Sequence, residues 1–252
     1  MSADEPQDAS SEAVAPLRPR LGVYFVPADG TPLARFGNAV LGRDADGRAV
    51  AATPGLPPTP VERVAPAARY GFHATLKAPF HLAAGRDEAG LHAACGSLAA
   101  AHAPIPMPAL APRRLGSGRE GFAALVLPRP LPGVDALAAD CVRLLEDWRA
   151  PLDAATLARR RPETLDPAAR ERLERWGYPH VLEGFRFHMT LSGPLEETAD
   201  TAGWLEALGR AYAARVGRRA VLDRIALCRE ERSGGRFVRV AEFPLGHVDD
   251  PR

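Results

Sequence analysis

The pattern of apolar positions along the chain predicts both strands and helices. The run LGVYFVP at residues 21–27 is aromatic and β-branched, which is typical of a strand, and Pro27 ends it. The stretches GFHATLKAPF and FRFHMTLSGPL also alternate like strands. Two antiparallel strand pairs are predicted from four further segments: MPALAPRRLG with EGFAALVLP, and VLDRIALCRE with RFVRVAEFPL.

Longer segments repeat their apolar residues with the helical period. Helices are predicted over residues 87–102, with Asp87 as the N-cap, over 134–148 and over 201–216. Residues 151–178 are predicted to be helical with breaks at Pro162 and Pro167. Residues 42–60 contain Asp-Gly and several prolines, which predicts a loop.

In this order of elements, each of the two motif strands is followed by a helix and then by two strands. This weak internal repeat at about half the chain length predicts an α+β protein of two similar lobes. The acidic and polar residues 1–20 are typical of a disordered tail. We therefore expect a single two-lobed domain over residues 21–252.

Composition is that of an ordinary globular protein, with 46% hydrophobic and 25% charged residues among 252. The net charge of +1 gives the protein no strong electrostatic field, so we expect neither nucleic acid nor a membrane as a partner. We also expect a monomer. The N-terminal residues lack the apolar segment of a secretory signal. Three widely spaced cysteines form no CxxC pair, which favours small buried residues in a reducing cytoplasm. Heavy use of Ala, Arg, Gly and Pro suggests a GC-rich bacterial genome.

The chemistry of the chain is concentrated in two copies of Phe-His-x-Thr-Leu. Side chains of a strand alternate between its two faces. Each copy is therefore predicted to carry a row of polar groups on one face and apolar side chains on the other. The first row is His73, Thr75 and Lys77, and the second is His188, Thr190 and Ser192. The other five histidines have no Ser or Thr two residues later, so the repetition is not accidental.

Two opposed imidazoles suit in-line attack at phosphorus, with one histidine as base and the other as acid. The hydroxyls of Thr75 and Thr190 can donate hydrogen bonds to the non-bridging phosphate oxygens, and Lys77, the only lysine, can add positive charge. No metal or other cofactor is needed for this chemistry. Two alternatives stay open: a structural repeat without chemistry, and a metal site, for which two histidines are too few to close a zinc shell.

The two motifs resemble those of the 2H phosphoesterase superfamily, which includes bacterial RNA 2′,3′-cyclic phosphodiesterases similar to RNA 2′-5′ ligases. Further stretches, VYFVP, ARFGNAVLGRDADG, RYGFHATLKAPFHLA, the segment from LARRRPETLD to HMTLSGPL, and FPL, resemble an uncharacterised family encoded in bacterial phosphonate-utilisation operons. The resemblance covers residues 21–245. It implies a bilobal fold with two antiparallel sheets, flanking helices and a central cleft.

The resemblance also implies catalytic roles for His73 and His188, with Thr75 and Thr190 as substrate-binding residues. Lys77, Ser192 and Tyr24 are further candidates for substrate binding, with Tyr24 on the first strand. The function expected is a metal-independent hydrolase of a small sugar or nucleotide cyclic phosphate. Because phosphonate breakdown yields a ribose 1,2-cyclic phosphate, that sugar is an attractive substrate. The alternatives are an RNA-end enzyme, a non-catalytic phosphate-binding module and an accessory subunit of a phosphonate pathway complex.

Overall fold

The computed structural model describes residues 19–217 and 219–246. Strands and helices are mixed along the chain, and short 3-10 turns link some of them. The order is β1 (Arg20–Phe25), α1 (Pro32–Leu41), α2 (Val61–Ala68), β2 (Ala74–Phe80), α3 (Glu88–Ala100), β3 (Ile105–Pro108), β4 (Ala111–Leu115), β5 (Phe122–Val126), α4 (Pro132–Leu144), α5 (Ala154–Arg159), α6 (Pro167–Trp176), β6 (His188–Pro194), α7 (Ala199–Arg215), β7 (Arg219–Leu222), β8 (Arg224–Glu230) and β9 (Phe237–Pro244).

One large antiparallel sheet dominates the fold, with strand order β4-β5-β6-β2-β1-β8-β9, and β3 pairs with β7 in a small second sheet. The expected α+β class with two antiparallel sheets and flanking helices is confirmed. At the centre of the large sheet, β2 and β6 pair only at Ala74 and Met189. The sheet is therefore almost divided into a half that ends at β2 and a half that ends at β6.

The two motif strands lie side by side at this division. The central cleft expected from the resemblance therefore lies within one sheet, between its two halves. The two polar rows belong to adjacent strands of one sheet, and all their members except Lys77 line the opening where those strands separate. A twisted antiparallel sheet can separate in this way when its central ladder loses hydrogen bonds.

The main core lies on the opposite face of the sheet from this opening. Alternate residues of the central strands point into it, including Val23, Leu76 and Met189, each at most 2% exposed. Apolar residues of α1, α3, α4 and α7 complete the core. The three cysteines, Cys95, Cys141 and Cys228, are buried and free, as expected.

The hydrophobic pattern predicted most of these elements within a few residues. Asp87 caps α3 by accepting a hydrogen bond from the Gly90 amide. The helix predicted over 134–148 ends at Leu144 and continues as a 3-10 turn, Glu146–Trp148. The segment predicted as one strand, VLDRIALCRE, instead divides at Asp223 between β7 of the small sheet and β8 of the large one.

Helices α1 and α2 were not predicted. Helix α1 begins after Thr31, which caps it, with Pro32 in its first turn. Helix α2 contains Pro66 and follows a proline-rich loop. Prolines are uncommon inside helices, so this part of the sequence did not predict one. Of the predicted tail, residues 1–18 lie outside the described residues, as do residues 247–252, and β1 already begins at Arg20.

Candidate active site

The two histidine–threonine pairs lie next to each other in antiparallel register. His73 directly precedes β2, and His188 is the first residue of β6. With Ala74 paired to Met189, the register places His73 opposite Thr190 and Thr75 opposite His188. All four side chains line one cleft of about 330 Å³. The expectation that these four residues share a site agrees with this geometry.

Both motif histidines are held by the same local hydrogen bond. Nδ1–H of His73 donates to the Gly71 carbonyl at 2.9 Å, and Nδ1–H of His188 donates to the Arg186 carbonyl at 2.8 Å. Each acceptor lies two residues before its histidine, and Gly71 reaches its position with a φ of 75°, which favours glycine. These bonds define the tautomer, so Nε2 is the basic nitrogen of both rings.

The cleft disfavours positive charge on both rings. The pKa of His73 is lowered to about 4, chiefly by burial; the hydrogen bond to the Gly71 carbonyl opposes this shift, and the nearby His188 and Arg43 add to it. Burial also lowers the pKa of His188, against the Arg186 carbonyl. Both rings are therefore neutral near pH 7 when the cleft holds no anion. The Thr75 hydroxyl donates to Nε2 of His73 at 3.1 Å.

Aromatic rings form much of the remaining wall of the cleft. Tyr24, Tyr70, Phe122 and Tyr178 all line it. The Tyr24 ring lies 4.1 Å from the His73 ring between centroids, and Phe122 lies 5.7 Å from the ring of His188. Aromatic packing of this kind restricts ring rotation, which keeps the imidazoles in one orientation.

Tyr24 carries an unsatisfied hydroxyl in this wall. The residue is fully buried, and its hydroxyl has no hydrogen-bond partner among the described residues. Burial raises the pKa of the phenol well above its usual value, so it stays protonated and able to donate. A Cβ at Gly22 would lie 2.6 Å from the hydroxyl oxygen, so glycine there leaves it room. The expectation that Tyr24 lines the cleft agrees with this position.

Lys77 does not lie in the cleft, which corrects the expectation that it shares a face with His73 and Thr75. The pairing of β1 with β2 shifts register between Thr75 and Lys77, so strict alternation ends there. The Lys77 side chain instead points to α4, where its ammonium donates to the Val142 carbonyl at 3.0 Å and to Glu146 at 2.8 Å. Burial lowers the pKa of Lys77, and Glu146 opposes this shift.

Ser192 borders the cleft, but its hydroxyl already has partners. Its Oγ accepts from the Ala123 amide at 2.9 Å and donates to the Gly193 carbonyl at 2.8 Å. The β5–β6 register shifts between Phe122 and Ala124, and at this irregularity the Ser192 hydroxyl is the side-chain acceptor of the Ala123 amide. These bonds indicate a structural role for Ser192 in β6 rather than substrate binding.

The comparisons with known proteins establish the family. A family model described as "Protein of unknown function (DUF1045)" matches residues 75–238, from Thr75 through the whole second motif. That range is more than half of the chain. The chain belongs to the DUF1045 family. The expected membership of an uncharacterised family is thereby confirmed.

Two curated relatives of this DUF1045 chain are both named ribose 1,5-bisphosphate phosphokinase PhnN. The protein from Janthinobacterium sp. (strain Marseille) is 37% identical over 90% of this chain and 51% of its own length. The protein from Laribacter hongkongensis (strain HLHK9) is 40% identical over 74% of this chain and 42% of its own length. The chain thus spans about half the length of the curated relatives it matches.

Solved structures give more distant likenesses. E. coli LigT complexed with 3′-AMP aligns with 92% of this DUF1045 chain and all of its own, at 15% identity and a TM-score of 0.44. A protein from Thermus thermophilus aligns with 90% of this chain and 98% of its own, at 18% identity and a TM-score of 0.44.

Several cleft residues of this DUF1045 chain were not predicted from the sequence. Arg160, from the run Arg-Arg-Arg at 159–161, lines the cleft. Its guanidinium carbon lies 4.9 Å from the centre of the Tyr178 ring. Tyr70 directly precedes Gly71 and the first motif, and this proximity could have marked it as a cleft residue. Arg160 and Tyr178 precede His188 by 28 and ten residues and lie outside both motifs, so the motif pattern did not mark them.

Among residues 19–217 and 219–246, no three His, Cys, Asp or Glu side chains are grouped closely enough to hold a metal ion. Across the same part of the DUF1045 chain, no helix has the length and apolarity needed to cross a membrane. Independence from metals remains a prediction that chelation tests.

Proposed function

We propose that this chain is a metal-independent hydrolase that opens a small cyclic phosphodiester. The observation that carries the proposal is the matched orientation of His73 and His188. Both Nδ1–H groups are held by backbone carbonyls, so both basic Nε2 atoms are available to a substrate in one cleft. A pair of groups that can act as base and acid is what in-line hydrolysis at phosphorus needs.

In the proposed reaction, one neutral histidine removes a proton from water as the water oxygen attacks phosphorus. The opposite P–O bond of the ring breaks, and the other histidine, as imidazolium, gives its proton to the leaving alkoxide. The product is a phosphomonoester with a free hydroxyl. Which histidine plays which role depends on the orientation of the substrate, because the two sites are nearly symmetric in register.

In this mechanism, binding of the substrate is what allows one of the two histidines to be protonated. An empty cleft holds two neutral rings because burial lowers the pKa of both. A bound phosphate anion stabilises an adjacent imidazolium and raises its pKa. The Thr75 hydroxyl can then turn from Nε2 of His73 to a phosphate oxygen, with Thr190 and the free hydroxyl of Tyr24 as further donors.

The names of the two relatives support a ribose phosphate as the substrate. Both are named for acting on ribose 1,5-bisphosphate, and this chain corresponds to about half of each. The chain has no phosphate-binding loop of the GxxxxGK[ST] type, since its single lysine follows Leu76. Opening a ribose 1,2-cyclic phosphate at O2 leaves the phosphate on C1, a product that such a kinase could use after phosphorylation at C5.

An RNA-end hydrolase is the second candidate, favoured by the aromatic walls. Tyr70 and Tyr178 border the cleft, and Arg160 packs on Tyr178, an arrangement that can hold a nucleobase. A polyanionic RNA would gain much of its affinity from cation–phosphate contacts, so its binding would weaken steeply with salt.

Hydrolysis of three substrates followed by ³¹P NMR tests the proposal. The substrates are ribose 1,2-cyclic phosphate, a nucleoside 2′,3′-cyclic phosphate and an RNA oligonucleotide ending in a 2′,3′-cyclic phosphate. We expect a small cyclic phosphate to be opened, with kcat/KM changing by less than about threefold between roughly 50 and 200 mM salt. Preference for RNA that collapses with salt would favour the second candidate, and no opening of any ring would refute both.

A further inference from the structure

Arg160 places an additional positive charge on the wall of the cleft. It is the C-cap residue of α5, it is half-buried, and its guanidinium packs on the Tyr178 ring. Stacking on an aromatic ring restricts the side chain and leaves the N–H donors at the edge of the guanidinium free to bind an anion. His188 and Thr190 line the same cleft.

The backbone also restricts the position of Arg160. Arg161 adopts a left-handed conformation with φ 48°, which is uncommon for a residue other than glycine, and it ends α5 at this point. The Arg161 amide donates to the Ala158 carbonyl, and the Arg161 carbonyl accepts from the Thr164 amide. Arg160 is thus carried by a defined turn between α5 and the 3-10 turn Pro162–Thr164.

The charge of Arg160 is not neutralised in the described part of the chain. Arg20, the other arginine of the cleft wall, is paired with the buried Glu230. Arg160 has no carboxylate oxygen within 4.0 Å among residues 19–217 and 219–246, although Glu120 also lines the cleft. An arginine that faces a binding cleft without a carboxylate partner is suited to an anionic group of the ligand.

We propose that Arg160 and Tyr178 form a second subsite that binds a phosphate ester remote from the cyclic phosphate. This proposal deepens the proposed function and rests on it. The histidine–threonine pairs hold the ring that opens, and Arg160 holds a second phosphate on the same sugar. The substrate class is therefore a sugar monophosphate that also carries a cyclic phosphate, and its product is a sugar bisphosphate.

The product of such a reaction has the same chemistry as the substrate in the relatives' names. A 5-phosphoribose 1,2-cyclic phosphate opened at O2 gives ribose 1,5-bisphosphate, with water adding to phosphorus and the proton going to O2. A reaction that forms the cyclic phosphate on a phosphorylated sugar would have to precede this step, and a kinase acting on the bisphosphate could follow it. The subsite would select for the sugar that such a kinase needs.

Matched substrates with and without the second phosphate test the subsite. The measurement is kcat/KM for ribose 1,2-cyclic phosphate and for its 5-phosphate, with wild-type protein, Arg160→Gln and Arg159→Gln. We expect Arg160→Gln to lose at least about tenfold on the phosphorylated substrate and to stay within about twofold on the other, as for loss of one charged hydrogen bond. Arg159→Gln is the control, since Arg159 is an exposed neighbour that bonds Thr156.

Equal losses on the two substrates, or no loss on either, would overturn the subsite. A loss that follows the presence of a nucleobase, seen with a nucleoside 2′,3′-cyclic phosphate that lacks a 5′-phosphate, would assign Arg160 and Tyr178 to base stacking instead.

Calorimetry separates a failed subsite from a failed catalytic proposal. We expect wild-type protein to bind ribose 1,5-bisphosphate at least about tenfold more tightly than ribose 1-phosphate, and Arg160→Gln to remove most of that difference. Discrimination in binding without hydrolysis of either cyclic phosphate would retain the subsite and refute the hydrolase. Equal binding of the two sugars by wild-type protein would refute the subsite even if both cyclic phosphates are opened.

Discussion

The two motif histidines are oriented by backbone carbonyls rather than by carboxylates. Gly71 and Arg186 provide these carbonyls, each two residues before its histidine. A carboxylate partner would raise the pKa of an imidazole, whereas here burial dominates and lowers it. The protonation of the two histidines is therefore controlled mainly by whether an anion occupies the cleft.

This control predicts an acid-shifted pH dependence. The free enzyme needs one neutral and one charged histidine, so kcat/KM should be greatest between the two pKa values, the lower at about 4 and the upper below the usual 6.5. As pH rises above that window the second ring loses its proton and kcat/KM falls. In the complex the phosphate anion raises the histidine pKa, so the alkaline limb of kcat should lie at higher pH.

Full pH profiles of kcat/KM and of kcat on one small cyclic phosphate check this prediction. A kcat/KM that rises to a plateau through about pH 9 would show that only one group titrates, contrary to the acid–base pair.

Tyr24 tests whether an unsatisfied hydroxyl serves the substrate. Tyr24→Phe removes a buried donor that has no partner among the described residues. The substitution should leave the free energy of unfolding unchanged or slightly raised, because no hydrogen bond is lost. If the hydroxyl donates to the phosphate, kcat/KM should fall by about tenfold. Thermal unfolding together with kinetics measures both, and unchanged kinetics would remove Tyr24 from the site.

At the scale of elements, irregular strand pairing decides which residues reach the cleft. Alternation along β2 predicted correctly that His73 and Thr75 lie on one face. It failed at Lys77, because a register shift against β1 places Leu76 and Lys77 both toward the core. No residue type in the sequence marks this shift, since it depends on the pairing of two strands distant in sequence.

The position of Lys77 predicts a structural rather than a catalytic role. Lys77→Met removes the buried contacts to Val142 and Glu146 while keeping a long apolar stem, and Glu146 keeps its bond to Arg149. We expect the free energy of unfolding to fall by about 1–3 kcal/mol and kcat/KM to change by less than about threefold. Denaturant unfolding and kinetics on the same preparation measure the two quantities. A hundredfold loss of kcat/KM at unchanged stability would return Lys77 to the phosphate.

At the scale of the whole molecule, the sequence predicted the class of fold better than its arrangement. Local periodicity was enough for α3, α7 and the strand pairs β4–β5 and β8–β9. It could not show that β2 and β6 are neighbours, because that pairing joins distant parts of the chain through one residue pair. For the same reason the sequence predicted the two histidine–threonine pairs but not Arg160 and Tyr178, which enter the cleft only through tertiary folding.

In the proposed reaction, two imidazoles open a cyclic phosphate in the cleft between β2 and β6 without a metal. The most direct test of this mechanism is turnover of a small cyclic phosphate by protein treated with EDTA, for wild type, His73→Ala, His188→Ala and the control His92→Ala, whose side chain is exposed on α3. All four proteins are first compared by circular dichroism. We expect full activity of wild type and His92→Ala after chelation, and a loss of at least about 10²-fold in each motif variant with its fold retained. Loss of wild-type activity that zinc or manganese restores, or wild-type turnover by either motif variant, would refute this mechanism.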